Sequence, residues 1–343
     1  MTIKIGYKAS AEQFGPQDLL RFTVLAEKLG YDNVAISDHL QPWRHHGGHA
    51  PFSLAWLGAV GQATSKIGLG TSVVTPTFRY HPGVIAHAFA TLACLFPGRV
   101  WLGIGTGEAM NEVPLGIEWP GSQERFARLK EAAEVIQKLW REERVSYDGS
   151  FYSTRNATIY DRPEVPPQLY IAASGASAAR LAGRVADGLI CTSGKDPSLY
   201  SDVLLPALVA GEEKGMRKPF SVDRAIEMKV SYDSDHQRAL EDTRNWGALA
   251  LTPEEKVGVE DPLELERLSA ALSTERCASR WVVSSKPEDH VEAVRRFAEM
   301  GFDNFMFHFP GDDQERALEL FARDVMPGLQ TLEPARPDGV SDG

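Results

Sequence analysis

The chain has 343 residues, of which 43% are hydrophobic, and its formal net charge is −11 at pH 7. This length and apolar content allow one large globular domain and exclude an intrinsically disordered chain. The acidic balance argues against nucleic acid as a partner, because a polyanion is repelled by a surface of the same sign. No apolar run is long enough to span a bilayer and the first residues enter a strand directly, so we expect neither a membrane partner nor a signal segment.

The cysteines and histidines argue against a metal or disulfide protein. Cys94, Cys191 and Cys277 are far apart and lack the spacing of metal ligands. We interpret them as reduced thiols, which predicts a cytoplasmic protein. Four histidines lie between residues 39 and 49, but their spacing fits no standard zinc site, so no metal is predicted.

Short apolar runs alternate with longer segments of helical periodicity along the whole chain. Strands are predicted over residues 3–7, 34–36, 67–74, 99–105, 169–173, 188–192, 225–232 and 304–308. Helices are predicted over residues 16–29, 51–64, 82–95, 122–142, 177–185, 197–214, 235–246, 287–300 and 314–325. A helix after each strand indicates a parallel sheet, because parallel strands need a crossover connection.

Eight strand-helix units predict an α/β fold, a (β/α)8 TIM barrel, formed by a single domain over residues 1–330. Two insertions are expected, a surface hairpin at about 145–160 and a Glu- and Leu-rich segment at about 249–280. The tail at 331–343 is polar and is expected to be flexible. The alternative is an open doubly wound sheet, which is less favoured because no Gly-x-Gly-x-x-Gly sequence follows the first strand.

The second predicted strand ends in three residues that suit chemistry: Asp38, His39 and Trp43. The carboxyl ends of barrel strands meet at the mouth where active sites form. An imidazole there can move a proton, and an aromatic side chain nearby can orient a ring. The alternative is that His39 is a core histidine hydrogen-bonded to Asp38.

Polar residues follow other strands as well. The loops at 105–108 and 174–177 expose backbone N–H groups near a helix start, which suits a phosphate or carboxylate, although both also fit plain strand-to-helix turns. Glu108 is equally consistent with a helix cap. Lys195, Lys256 and Arg280 would form a phosphate site only if they meet at one mouth; separately, each is an ordinary surface cation.

Eight segments carry a resemblance to a known family: Gly6–Phe14, Ser37–His45, Gly47–Leu54, Leu69–Val73, Thr75–Tyr80, Gly105–Ala109, Cys191–Lys195 and Arg280–Trp281. Through them the chain resembles, from end to end, the coenzyme F420-dependent glucose-6-phosphate dehydrogenases of the bacterial luciferase-like barrel superfamily. The resemblance implies a luciferase-like TIM barrel, a homodimer and an oxidoreductase. The expected reaction moves a hydride from the anomeric carbon of glucose 6-phosphate, or a related sugar 6-phosphate, to coenzyme F420 and gives 6-phosphogluconolactone.

The resemblance also implies roles for individual residues. His39 and Glu108 would be the acid/base pair, with Trp43 beside the reacting centre. Coenzyme F420 would contact a larger set of residues: Asp38, Ser72, Val73, Thr75, Thr106, Gly107, Asn111, Ser174, Gly175, Ser177 and Ala178. The peptide bond between Ser72 and Val73 would be cis. The sugar phosphate would contact Thr192, Lys195, Lys256 and Arg280.

Several points stay open at this level. His39 is the favoured base on the sugar hydroxyl and Glu108 the favoured proton donor to nitrogen N1 of the cofactor, but the reverse assignment is also consistent with the sequence. Alternative functions are another luciferase-like F420- or FMN-dependent oxidoreductase or monooxygenase, or a non-catalytic cofactor-binding barrel. The preferred sugar 6-phosphate and the length of the cofactor tail are not determined.

Overall fold

The computed structural model describes residues 2–336. Its strands are β1 (Lys4–Ala9), β2 (Asn33–Ile36), β3 (Gly68–Thr71), β4 (Val100–Ile104), β5 (Val145–Asp148), β6 (Ser153–Ala157), β7 (Gln168–Ala172), β8 (Gly188–Thr192), β9 (Asp223–Tyr232), β10 (Val282–Ser284) and β11 (Asn304–His308). Its α-helices are α1 (Pro16–Leu29), α2 (Ser53–Ala63), α3 (Pro82–Leu95), α4 (Ala109–Glu112), α5 (Ser122–Arg141), α6 (Ala176–Val185), α7 (Leu205–Lys214), α8 (His236–Asp242), α9 (Pro262–Ala270), α10 (Thr274–Ala278), α11 (Pro287–Glu299), α12 (Gln314–Asp324) and α13 (Met326–Leu329).

Eight parallel strands close into a barrel. They pair in the order β1-β2-β3-β4-β7-β8-β9-β11, and β11 pairs with β1 to complete the ring. The predicted (β/α)8 barrel is therefore confirmed, and the open doubly wound sheet is wrong because the sheet returns to its first strand. Strand β10 was not predicted; it adds three residues beside β9, too few to give a periodic signal.

Two helices differ from the prediction. The helix expected over 197–214 begins as a π-helical segment, Leu199–Leu204, before α7. The helix expected over 235–246 ends as α8 at Asp242 and continues as a 3-10 segment, Thr243–Ala250, which is kinked at Trp246.

The insertions carry secondary structure of their own. Strands β5 and β6 form an antiparallel hairpin, and the second insertion contains α9 and α10. The extent of the domain stays a prediction, and residues 337–343 of the tail expected to be flexible lie outside the described residues. Among residues 2–336 there is no helix with the length and apolarity needed to cross a membrane.

The barrel interior changes character along its axis. Near the amino ends of the strands it is filled by apolar side chains, including Trp101, Tyr170, Ala225 and Met306. Side chains alternate between the two faces of a strand, so residues two and four positions beyond Ala225 also face the interior. On β9 these inward positions are charged, which places ionisable groups at the carboxyl end of the barrel, where α/β barrels hold their active sites.

Candidate active site at the barrel mouth

Two adjoining cavities open at the carboxyl ends of the strands. One has a volume of about 310 Å³ and is lined by the loops after β2, β3, β4, β7 and β8; we call it the cofactor cavity. The other has a volume of about 260 Å³ and also receives residues from the second insertion; we call it the substrate cavity. Both are lined by the same five residues at their junction: His39, Ser72, Glu108, Thr192 and Glu227.

The cofactor cavity gathers most of the residues that the resemblance assigns to coenzyme F420. Its lining includes Asp38, Ser72, Val73, Thr75, Thr106, Gly107, Asn111 and Ser174. The remaining three, Gly175, Ser177 and Ala178, lie at the start of α6 and are not part of this lining. The peptide bond between Ser72 and Val73 is cis, the isomer that the resemblance implies.

Two glycines keep the cofactor cavity open. A Cβ atom on Gly105 would lie 2.7 Å from Cγ2 of Val73, and one on Gly107 would lie 2.8 Å from Cγ2 of Thr75. Gly107 also has φ of +81°, a left-handed conformation that side chains disfavour. The site therefore requires glycine at 107 for conformation as well as for space.

Asp38 lies in a buried hydrogen-bond network. Its Oδ1 accepts from the hydroxyl of Ser53 at 2.6 Å, and its Oδ2 accepts from Arg79 at 2.6 Å and from the hydroxyl of Tyr80 at 2.9 Å. Arg79 also donates to the fully buried carboxylate of Glu112 at 2.7 Å. Sequence reasoning missed the three partners of Asp38 and the contact with Glu112, although Arg79 and Tyr80 belong to the predicted loop after the third strand. The network fixes the loop that precedes His39.

His39 lies between two carboxylates. The Nδ1–H group of His39 donates to the carbonyl oxygen of Gln41 at 3.1 Å. This contact turns Nε2 toward the two carboxylates, with Oε1 of Glu12 at 3.5 Å and Oε2 of Glu108 at 3.3 Å. The ring of Trp43 lies 5.6 Å away, centroid to centroid. Burial alone would lower the pKa of His39, but the negative charges of Glu12 and Glu108 outweigh it and raise the pKa to about 9.

Glu108 is the ionised partner of this pair. Its surroundings disfavour the charged form, but the contact with His39 and the nearby charge of Lys256 bring its pKa below the usual value. The side chain is 48% exposed, so it remains accessible to a ligand in either cavity. The proton of the pair therefore resides on the imidazole at neutral pH. Glu12 had not been identified from the sequence; it lies in the first matching segment, but after β1 no chemical pattern singled it out.

The cations predicted to hold a phosphate come together. Thr192, Lys195, Lys256 and Arg280 all line the substrate cavity. Partial burial lowers the pKa of Lys195, and the neighbouring charge of Arg280 lowers it further. Lys256 lies over the ring of Trp43 at 5.3 Å, which ties the phosphate end of the cavity to the residue beside His39. Cations that repel one another in a shared cavity favour an anion between them.

The other histidines near the mouth do not form a metal site. His46 binds Glu266 of α9 at 3.1 Å, which fastens the loop after β2 to the second insertion. Within residues 2–336, no group of three or more His, Cys, Asp or Glu side chains is placed to hold a metal ion. Cys94, Cys191 and Cys277 are free thiols.

The barrel and its mouth are those of a luciferase-like protein. Residues 1–304 match the family model described as Luciferase-like monooxygenase. A solved structure of an F420-dependent secondary alcohol dehydrogenase, in complex with an F420-acetone adduct, superimposes with a TM-score of 0.89 at 32% identity, covering 96% of this chain and 99% of the other.

Curated relatives identify the group within this class. The chain is 62% identical over 331 residues to an F420-dependent glucose-6-phosphate dehydrogenase of Beutenbergia cavernae, covering 96% of this chain and 98% of the relative. It is 59% identical to the protein of the same name from Nakamurella multipartita, covering 96% and 97%. The chain belongs to the F420-dependent glucose-6-phosphate dehydrogenase family.

Proposed function

We propose that the protein oxidises glucose 6-phosphate, or a related sugar 6-phosphate, by transferring the hydride of the anomeric carbon to coenzyme F420, with 6-phosphogluconolactone and reduced F420 as products. The observation that carries this proposal is the junction of the two cavities: a proton-handling pair lies between a glycine-bordered cavity and a cavity with three cations. The names of relatives at 62% and 59% identity support the same reaction.

The residues around the cofactor cavity fit a planar deazaflavin. The cavity of about 310 Å³ is of ligand size, and the glycines at 105 and 107 leave room for a flat ring against the Ser72–Val73 peptide. When bound, coenzyme F420 would supply a ring that accepts a hydride. Asp38, Ser72, Val73, Thr75, Thr106, Gly107 and Asn111 would hold that ring and its neighbouring groups. Ser174, Gly175, Ser177 and Ala178 would offer N–H and hydroxyl groups at the start of α6 to the cofactor phosphate.

The substrate cavity fits a phosphorylated sugar. Lys195, Lys256 and Arg280 would bind the phosphoryl group together with the hydroxyl of Thr192. Binding at this end aligns the anomeric carbon at the junction, so energy from a remote group contributes to the rate. Trp43 closes the side of the cavity next to the reacting carbon.

We infer the direction of the two proton transfers from the charges of the pair. His39, protonated at neutral pH because its pKa is about 9, serves as the acid whose Nε2–H supplies the proton that cofactor reduction requires. Glu108, whose pKa is lowered, serves as the base that takes the proton of the anomeric hydroxyl. This proposal takes the reverse assignment, which the sequence left open because sequence gives no measure of the charge around an imidazole. Glu12 holds the positive charge on His39 in place.

A direct assay tests the function. Purified protein is mixed with F420 and a panel of hexose 6-phosphates, and loss of the visible absorbance of oxidised F420 is followed. We expect turnover with at least one sugar 6-phosphate and none after the change His39→Ala. The proposal is wrong if every sugar phosphate leaves F420 oxidised, or if the same protein turns over FMN instead.

We also propose that the protein is cytoplasmic, which its three unpaired thiols support. We propose in addition that it is a homodimer, which the family resemblance supports. Light scattering after size-exclusion chromatography should give twice the chain mass of 37.7 kDa. A single-chain mass over the working concentration range would exclude the dimer.

A further inference from the structure

Four ionisable side chains meet inside the barrel below the mouth, and we call them the inner ion cluster: Lys8 of β1, Glu227 and Lys229 of β9, and His308 at the end of β11. Strand β11 pairs with both other strands and sets His308 beside Lys229 in register. All four residues are buried; the side chain of Glu227, the most accessible, is 9% exposed.

The cluster is centred on a carboxylate. Oε1 of Glu227 lies 3.3 Å from Nζ of Lys229 and 3.8 Å from Nδ1 of His308, while Oε2 lies 3.7 Å from Nζ of Lys8. Although burial disfavours the charged form, the two lysines bring the pKa of Glu227 down to about 2. Buried ion pairs contribute little net stability compared with apolar side chains of the same volume. Barrel packing alone therefore gives no reason for charges at positions that other barrels fill with Val, Ile or Leu.

The cluster faces ligand space rather than closed core. All four members line the substrate cavity, and Glu227 lines the cofactor cavity too. The rings of Trp246 and Trp281 pack on His308 at 4.3 Å and 5.2 Å, and burial lowers the pKa of His308 to about 3, so the ring is neutral. Neither ring nitrogen of His308 has a hydrogen-bond partner within residues 2–336.

The chemistry of this surface suits hydroxyl groups. A neutral imidazole that lacks partners can donate to or accept from a hydroxyl, and the same holds for the buried hydroxyl of Ser37, which also lines the cavity without a partner among residues 2–336. The carboxylate of Glu227 repels a phosphoryl group but accepts strongly from an O–H donor. The phosphate cations border the cluster, since the charge of Arg280 acts on both Lys229 and Glu227. Glu227 also lines the cofactor cavity and none of the three cations does, so Glu227 faces the part of the ligand nearest the junction.

We infer that the inner ion cluster recognises the ring hydroxyls of the sugar and that Glu227 accepts a hydrogen bond from the hydroxyl on the carbon adjacent to the anomeric carbon. Glu227 lies at the junction of the cavities, so the ligand atoms that it reaches are those next to the reacting carbon. Lys8 and Lys229 keep its carboxylate ionised and aimed at the cavity. This inference rests on the proposed function, because it takes a hexose 6-phosphate as the ligand.

The test pairs a protein change with a ligand change. Glu227→Gln and the unaltered protein are assayed with glucose 6-phosphate and with 2-deoxyglucose 6-phosphate, and kcat/KM is measured for all four combinations. A hydrogen bond to a charged group is worth about 10- to 100-fold in kcat/KM. We expect Glu227→Gln to lose that factor with glucose 6-phosphate and to lose less than about threefold with the deoxy sugar, in which the bond is already missing.

Two comparison variants separate recognition from general damage. Lys195→Ala removes a cation at the phosphate end of the cavity and should lower kcat/KM for both sugar phosphates by the same factor. Glu227→Asp keeps the charge balance of the cluster and so protects the fold, but it withdraws the carboxylate by one methylene and should again affect glucose 6-phosphate more than the deoxy sugar.

Each outcome decides the inference. Equal losses for the two sugars in both Glu227 variants would overturn it and leave the cluster a structural role. If the unaltered protein oxidises no sugar phosphate, the proposed function and this inference are both wrong. If it does oxidise them but the Glu227 variants lose equal factors with the two sugars, only the inference is wrong.

Discussion

Replacement of Glu12 by Gln should shift the pH dependence of catalysis. Oε1 of Glu12 lies 3.5 Å from Nε2 of His39, and both side chains are largely shielded from water. At that distance two unit charges attract by about 5 kcal/mol at an effective dielectric constant of about 20, an upper bound on the effect. Measured shifts from one close opposite charge are about 1 to 3 pH units, so the pKa of His39 should fall from about 9 to roughly 6–8.

The sign of the effect follows from the role proposed for His39. An acid is active only while protonated, so kcat/KM should decline as pH rises through the pKa of His39. The unaltered enzyme should lose activity near pH 9, and Glu12→Gln should lose it at distinctly lower pH. The decline on the acid side reports the base and should move less.

The assay is kcat/KM for glucose 6-phosphate from pH 5 to 10, in buffers of about constant ionic strength since exposed charges are screened by salt. Glu264→Gln is the matched control: it also removes one carboxylate, but that group is on the surface and binds Arg267. An alkaline limb at the same pH in Glu12→Gln and in the control would refute the charge argument. An imidazole titration by NMR, assigned with His39→Asn, measures the same pKa directly.

Three further predictions concern the cation site, the buried network and the cofactor cavity. Lys256→Ala should raise KM for glucose 6-phosphate by about tenfold or more in steady-state assays, with a smaller effect on unphosphorylated glucose, because one phosphate contact is lost. Arg79→Met should lower the free energy of unfolding by about 3–5 kcal/mol in urea titrations, because Asp38 and Glu112 are left buried without their shared cation. Gly107→Ala should weaken F420 binding, measured by fluorescence quenching, because the added methyl group meets the cavity wall in a strained backbone conformation.

Each of these has a control elsewhere in the chain. Lys28→Ala removes a cation from the last turn of α1 and should leave KM unchanged. Arg21→Met breaks ion pairs that are exposed and should cost less than about 1 kcal/mol. Gly98→Ala carries the same left-handed strain, with φ of +75°, in open space at the far end of the barrel. Equal effects in a variant and its control would contradict the corresponding prediction.

The order of elements was readable because each barrel unit repeats one hydrophobic pattern, and the buried strands β2 and β11 contain short apolar runs. The candidate site residues on the loops after the strands could be grouped for a related reason, since barrel geometry brings those loops to one mouth. Lys195, Lys256 and Arg280, separated by up to 85 positions, meet there.

What sequence could not supply was the environment of each group. The pKa of His39 depends on Glu12, a residue 27 positions earlier that approaches only in three dimensions. The sequence does contain a pattern that belongs to the inner ion cluster. In β9, Glu227 and Lys229 alternate with Ile226, Met228 and Val230, so the charged side chains share one face of the strand. A charged pattern in a strand suggests solvent, and only the closed sheet shows that its polar face points inward.

The second insertion lines part of the substrate cavity and no part of the cofactor cavity. It contributes Leu249, Lys256 and Arg280 to the substrate cavity, and none of these three lines the cofactor cavity. Natural variation in residues 249–280 can therefore exchange one electron donor for another during evolution while the electron acceptor is inherited unchanged. Divergent donors among barrels that share a deazaflavin would then trace to this replaceable stretch together with the residues of the barrel that line the same cavity.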